Sequence, residues 1–299
     1  MKFIKKAAAL LLAFLMLLVP ATALADETNV TDTTTAESFV CYGDDLNSEQ
    51  FEKVMNLLGA DLSKDQLIKV TIDDEKALLG SIISADKIGS RSLSSARVTL
   101  TGEGTGISVT TQNINWVTSS MYSSALATAG VDNARIVVAA PVEVSGTAAL
   151  AGILKAYESA ASTQLSDEAK AVAGSEMVLT GDLADMIGSD DAVELLAMVK
   201  NAIAEYHLDD YDSLRPYVEQ GAKQLGVQLT EDQIDQITKL GVQIAKLDLD
   251  PEKLAGQLNG LVDNIQKIQK VQQSADSIFT NIKTAVQGFF NWIGSWFKR

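Results

Sequence analysis

Between residues 47 and 59 the apolar side chains fall at Phe51, Val54, Met55 and Leu58, the spacing of one helix face. Asn47 or Ser48 supplies the N-cap of that helix and Gly59 its stop. Next, "LSKDQ" sets Ser63 and Gln66 three apart, as in a capping box. The run "IKVTI" reads as a strand. A two-residue period then takes over: Ala96, Val98 and Leu100 on one side of a Gly-rich loop, Ile107 and Val109 on the other. That pattern predicts a hairpin with Gly102, Gly104 and Gly106 in its turn. A helix from Thr118 to Ala129 closed by Gly130, a buried strand "ARIVVAAP" ended by Pro141, and a helix in "SGTAALAGILKAYESAA" complete the first half. The order resembles β-α-β-β-α-β, the split arrangement of ferredoxin-like sheets. The fold class predicted is α+β, a small mixed sheet with flanking helices followed by a mainly helical C-terminal region.

After Leu165 strand signals disappear, and "TGDLADMIG", "DDAVELLAMVKNAIAEY" and "SLRPYVEQGAKQLG" all have helical spacing. "LGADLSKDQL" at 58–67 is echoed by "LGVQLTEDQI" at 225–234. A helix stop followed by a capping box accounts for both copies; a duplicated helical hairpin is the alternative. Asp250 and Pro251 then mark an N-cap and a first helical position. From Leu254 through Leu258, Leu261, Ile265 and Ile268, and on through Phe279 and Phe289 to Trp296, apolar residues recur in steps of four and three. Such a stripe calls for an opposing helix, and 231–247, with Ile234, Ile237 and Ile244, is the candidate nearest in sequence. Unbroken, a helix over 251–299 would be about 73 Å long, so it breaks near "QQSAD" or projects.

The ends change the picture. Lys2, Lys5 and Lys6, the apolar run Ala7–Val19, Pro20 and the small-residue site Ala23-Leu24-Ala25 have the form of a secretory signal peptide, with an apolar run too short to span a bilayer. This divides the chain into a signal peptide (1–25), a disordered Thr-rich leader (26–36), an α+β domain (37–212) and a helical region (213–299). The localisation predicted is secreted or cell-envelope associated after cleavage at Ala25-Asp26. Cys41 is the one cysteine, so no internal disulfide is available. Formal charge is −15 overall, with a net −19 across 26–212, +1 across 213–299 and +4 in the last 36 residues. An acidic body repels nucleic acid, whereas the tail would welcome an anionic surface.

Candidate chemistry is sparse. Ser145 lies between a strand and a helix start, but Glu143 and Thr147 stand where a nucleophile elbow requires glycine. An N-cap suits Ser145 better, and Ser145, Gly146 and Thr147 form a candidate anion site at the helix start. His207, the lone histidine, falls at a helix end before a solvated acidic loop, so a Ser–His–Asp system is not expected. Asp209, Asp210 and Asp212, or Asp248, Asp250 and Glu252, could collect calcium, but neither set follows the calcium-loop pattern and capping explains the second. The glycines of "TGEGTGIS" are followed by no P-loop lysine. Glu143 and Glu158 could form a glycosidase pair, although so acidic a chain holds such pairs by number alone. No catalytic residue, metal or cofactor is assigned.

One stretch carries a family signature. "VTSSMYSSALATAGVDNARIVVAAPVEVSGTAALAGILKAYE", from Val117 to Glu158, resembles the YpuA-like secreted bacterial family, a domain of unknown function (family 1002). The hallmarks are Thr128-Ala129-Gly130, Ala139-Ala140-Pro141, Val144 to Leu150 and Lys155 to Glu158. The resemblance extends over roughly 40–245, with a departure at Val70-Thr71-Ile72-Asp73-Asp74-Glu75, where the family has Val-Thr-Asn and acidic residues. It implies export and this fold, and assigns no catalytic residue.

The C-terminal segment is the unusual surface. On a helical wheel Ile282, Val286, Phe289, Phe290, Ile293, Trp296 and Phe297 share a side, with Trp292 nearby and Lys298 and Arg299 at the end. Packing on the chain itself, lying on a membrane interface, and docking on a partner or a second copy are the three uses such a segment has. Lys283, Gln287 and Asn291 prevent it from spanning a bilayer. The function expected is therefore a non-catalytic cell-envelope binding or interaction module that uses Phe289, Phe290, Trp292, Ile293, Trp296, Phe297, Lys298 and Arg299. The alternative is an extracellular hydrolase with its site at the Ser145 turn.

Overall fold

The computed structural model describes residues 38–80, 90–267 and 269. The signal-peptide, leader and aromatic-tail readings lie outside those residues. Asn47 caps the first helix, α1 (Ser48–Leu58), in a full capping box with Gln50, and Gly59 ends it in the left-handed conformation. Before α1 runs β1 (Ser38–Gly43); after it comes β2 (Gln66–Val70), then α2 (Ile72–Leu79), β3 (Ser95–Leu100), β4 (Ile107–Ile114), α3 (Ser119–Thr128), β5 (Ala134–Val144) and α4 (Thr147–Ala161). The helical half comprises α5 (Asp167–Ile187), α6 (Ser189–Tyr206), α7 (Tyr211–Leu225) and α8 (Glu231–Ala245), and α9 occupies 251–267. This is the mixed α+β architecture expected.

The sheet order is β2-β1-β3-β5-β4. It differs from the ferredoxin-like expectation: β1-α1-β2 and β4-α3-β5 are two units whose strands lie side by side in parallel, joined antiparallel through β3. The predicted 96–109 hairpin does not form, because β5 lies between β3 and β4 and pairs with both. Alternation fixes which face a strand buries and leaves its neighbour open. Strand β5 also continues past Pro141. Its pairing with β3 ends at Ala139, so the missing proline N–H falls beyond the ladder on that side.

Side-chain alternation sends Phe39, Cys41, Ala96, Val98, Ile136 and Val138 to the face covered by α3 and α4, and Val40 and Ala139 to the face covered by α1. Helix α4 approaches the sheet closely at Gly152, where a Cβ would stand 2.6 Å from Cys41 Sγ. A second core, from Val172 to Ile244, joins α5, α6, α7 and α8.

Two further expectations are corrected. Ser63 caps no helix: its N–H and hydroxyl donate to Asp61, and Gln66 opens β2. The two halves of the echo thus diverge after their glycines, since Thr230 and Gln233 do form a capping box. The stripe of α8 and that of α9 do not face each other either. Ile234, Ile237 and Ile244 pack in the α5–α7 core, whereas Leu254 and Leu258 pack with Ala127 of α3 and Ala197 of α6, and Ile265 joins the sheet core.

Candidate functional site

Helix α9 is held along its length. Asp250 caps it through the N–H groups of Glu252 and Lys253. On one flank Lys253 Nζ donates to Asp132 at 2.8 Å, and Gln257 Nε2 donates to the carbonyl of Val131 and to Asp132 Oδ1, both at 3.1 Å. On the other, Gln266 Nε2 donates to Glu194 of α6 at 3.2 Å. Between α9, the loop before β4 and the start of α3 runs an open groove of about 760 Å³. Ile107 and Val109 contribute its apolar lining, with Ser120, Asn133, Gly256 and Gly260 around them. No helix among the described residues is long and apolar enough to cross a membrane.

The turn singled out by sequence is closed. The N-cap position of α4 is Gly146 at φ 96°, with no side-chain cap, so the expected Ser145 cap is replaced by a backbone turn. Ser145 and Thr147 hydroxyls share a hydrogen bond at 3.2 Å. Tyr122 donates to the carbonyl of Gly146 at 2.5 Å, and a Cβ on Gly146 would meet Tyr122 Oη and Ile114 Cγ2 at 2.5 and 2.6 Å. Ser145 is half-buried, while Gly146 and Thr147 are buried. His207 is exposed, in the left-handed conformation at the C-cap of α6. Neither the groove beside α9 nor the one at the end of α4 is lined by Ser145, Glu143 or His207.

The other candidates are engaged elsewhere. Asp210 caps α7 by accepting from Ser213 N–H, and among the described residues no three His, Cys, Asp or Glu side chains group as a metal site. Glu158 accepts from Lys170 and from the N–H of Leu165. The Cys41 thiol donates to the carbonyl of Ala96, and burial pushes its pKa up to about 12, far from a reactive thiolate.

Sequence reasoning missed two buried charged groups. Lys200 of α6 and Glu176 of α5 form a fully buried pair at 2.7 Å. Lys200 also donates to the carbonyl and hydroxyl of Ser124 and to Thr128, while both hydroxyls donate to Glu176. Desolvation lowers the Lys200 pKa, and Glu176 opposes that shift. The contact of lysine with serine has the outline of a Ser–Lys base pair, but every atom is enclosed and partnered, so it acts as a joint between α3, α5 and α6. The second group is Glu75 of α2, whose carboxylate oxygens are buried without a hydrogen-bond partner. Lys200, four residues after Leu196, and Glu75, four before Leu79, both lie in line with an apolar stripe, the one sequence signal that marks them.

These features describe an α+β protein in which a buried lysine–glutamate pair ties three helices together. Residues 42–261 match the family described as "Protein of unknown function (DUF1002)", and the chain belongs to that family. It is similar to "Uncharacterized protein YpuA" of Bacillus subtilis (strain 168), with 34% identity over 285 residues, covering 93% of this chain and 96% of that protein. No solved structure matches the chain.

Proposed function

We propose that this protein is an exported, non-catalytic binding module that docks at the cell envelope through its aromatic, basic C-terminal segment. The anchoring of α9 carries the reading. Hydrogen bonds fasten it on both flanks and Leu254, Leu258 and Ile265 seat it, so the helix that precedes Phe289, Phe290, Trp292, Ile293, Trp296 and Phe297 in the sequence is fixed to the body. The net charge of +4 in the last 36 residues, against −19 over 26–212, favours an anionic surface as the target. Interfacial burial of such aromatic side chains contributes about 1.5–3 kcal/mol each, enough for reversible attachment.

The test compares the chain with and without residues 275–299. The full chain is expected to sediment with anionic vesicles and less with neutral ones; the truncated chain is expected to stay in solution with an unchanged melting temperature. Equal vesicle binding and equal oligomeric state in the two forms would defeat the proposal.

A further inference from the structure

Glu75 occupies the second turn of α2, in line with Ile72 and Leu79. It is 1% exposed, and neither carboxylate oxygen has a hydrogen-bond partner. The helices packed against α2 are α4 and α5. From α4 the facing group is Thr147, whose hydroxyl is shared with Ser145 and does not meet Glu75 in hydrogen-bond geometry, so it offsets the cost of charge only in part. Lys155, the cation of α4, is held by Asp74 next to Glu75, and Glu158 is held by Lys170. From α5, Gly174 meets Leu78 and Leu79, while Lys170 and Glu176 are engaged with Glu158 and Lys200. Tyr122 of α3 and Cys41 of β1 lie nearby, and burial raises the pKa of both, so each stays neutral. The phenol donates to Gly146 instead of to the carboxylate.

An isolated carboxylate so placed is costly when ionised and tolerable as the neutral acid. Among the described residues α2 is held by the Thr71–Asp74 capping box, the Asp74–Lys155 pair and the buried Leu79, with Ile72 and Leu78 partly buried against the core. We propose that Glu75 is a proton-controlled latch: with its carboxyl protonated α2 lies closed on α4 and α5, and ionisation releases it.

Burial pushes the Glu75 pKa from its ordinary 4.5 up to about 7. The closed state therefore binds the proton more tightly than the open state. Closure is complete below the ordinary glutamate pKa, and it is lost as pH rises toward and through 7. Release uncovers Leu79 and the face of α4 beneath it, so the latch couples ambient acidity to exposure of an apolar surface.

Amide hydrogen exchange on the full chain at pH 5 and pH 8 tests this, with amides of α6 as reference and Glu75→Gln as the variant. In the wild type the open fraction of α2 should rise on the order of a hundredfold relative to α6; in Glu75→Gln the ratio should stay nearly flat. The same rise in both proteins would overturn the latch. Should the variant fail to fold, the wild-type side-chain carbon resonance of Glu75 decides the matter: a titration midpoint near 7 supports the latch, and one at or below 5 overturns it.

Discussion

Glu176 and Glu75 are equally withdrawn from water, at 0% and 1% exposure, on helices that touch each other. Around Glu176 a lysine and two hydroxyls converge from α6 and α3, and each polar atom has an answer. Around Glu75 the one cation on α4 is taken by its neighbour Asp74. The difference teaches that burial does not set the consequence of a charge; the partners brought to it do. One carboxylate ties three helices together, and the other loosens its own helix when ionised.

The comparison breaks most sharply at Lys200. Lys200→Met leaves Glu176 buried and uncompensated, with an expected loss of about 3–5 kcal/mol in urea unfolding. Replacing Lys200 and Glu176 together by leucine should recover most of that loss, because a well-packed apolar pair is often neutral relative to a buried ion pair. Glu75→Leu has the opposite sign. Glu75's contribution is intact below about pH 4.5 and is lost as pH rises through 7, so the variant's advantage over wild type should grow by about 2–3 kcal/mol between pH 5 and pH 8. Urea midpoints at the two pH values measure it. The smallest effect expected is that of Thr128→Val, which removes one donor to Glu176 and one acceptor from Lys200, at about 1–2 kcal/mol.

Much of the local structure was legible in the sequence because its causes are local. The N-cap at Asn47, the helix opening at Thr118 and the Asp250-Pro251 start depend on residues within one turn of each other, and each lies where the pattern puts it. The sheet order was not legible, because Ala96, Val98 and Leu100 alternate in the same way whichever strand adjoins them. The repeated "LG…L[ST]xDQ" motif misled for a related reason. After Gln233 the apolar residues follow helical spacing, whereas after Gln66 the chain pairs with β1, a partner distant in sequence. Lys200 and Glu75 lay between these cases: their place in line with apolar stripes was visible, but the company each keeps comes from other helices. Ser145 had the right neighbours for a cap, yet a glycine at φ 96° took that position.

The insertion of β5 between β3 and β4 also governs the order of assembly. Strand β4 pairs with β5 alone, and β5 begins 20 residues after β4 ends. A chain emerging from its N-terminus therefore carries β4 as a lone strand until α3 and most of β5 have followed, with its hydrogen-bonding edges open to rival strands. Such delayed closure slows folding and favours aggregation of incomplete chains. The last of these strands to be made, β5, both completes the second parallel unit and ties it through β3 to the first.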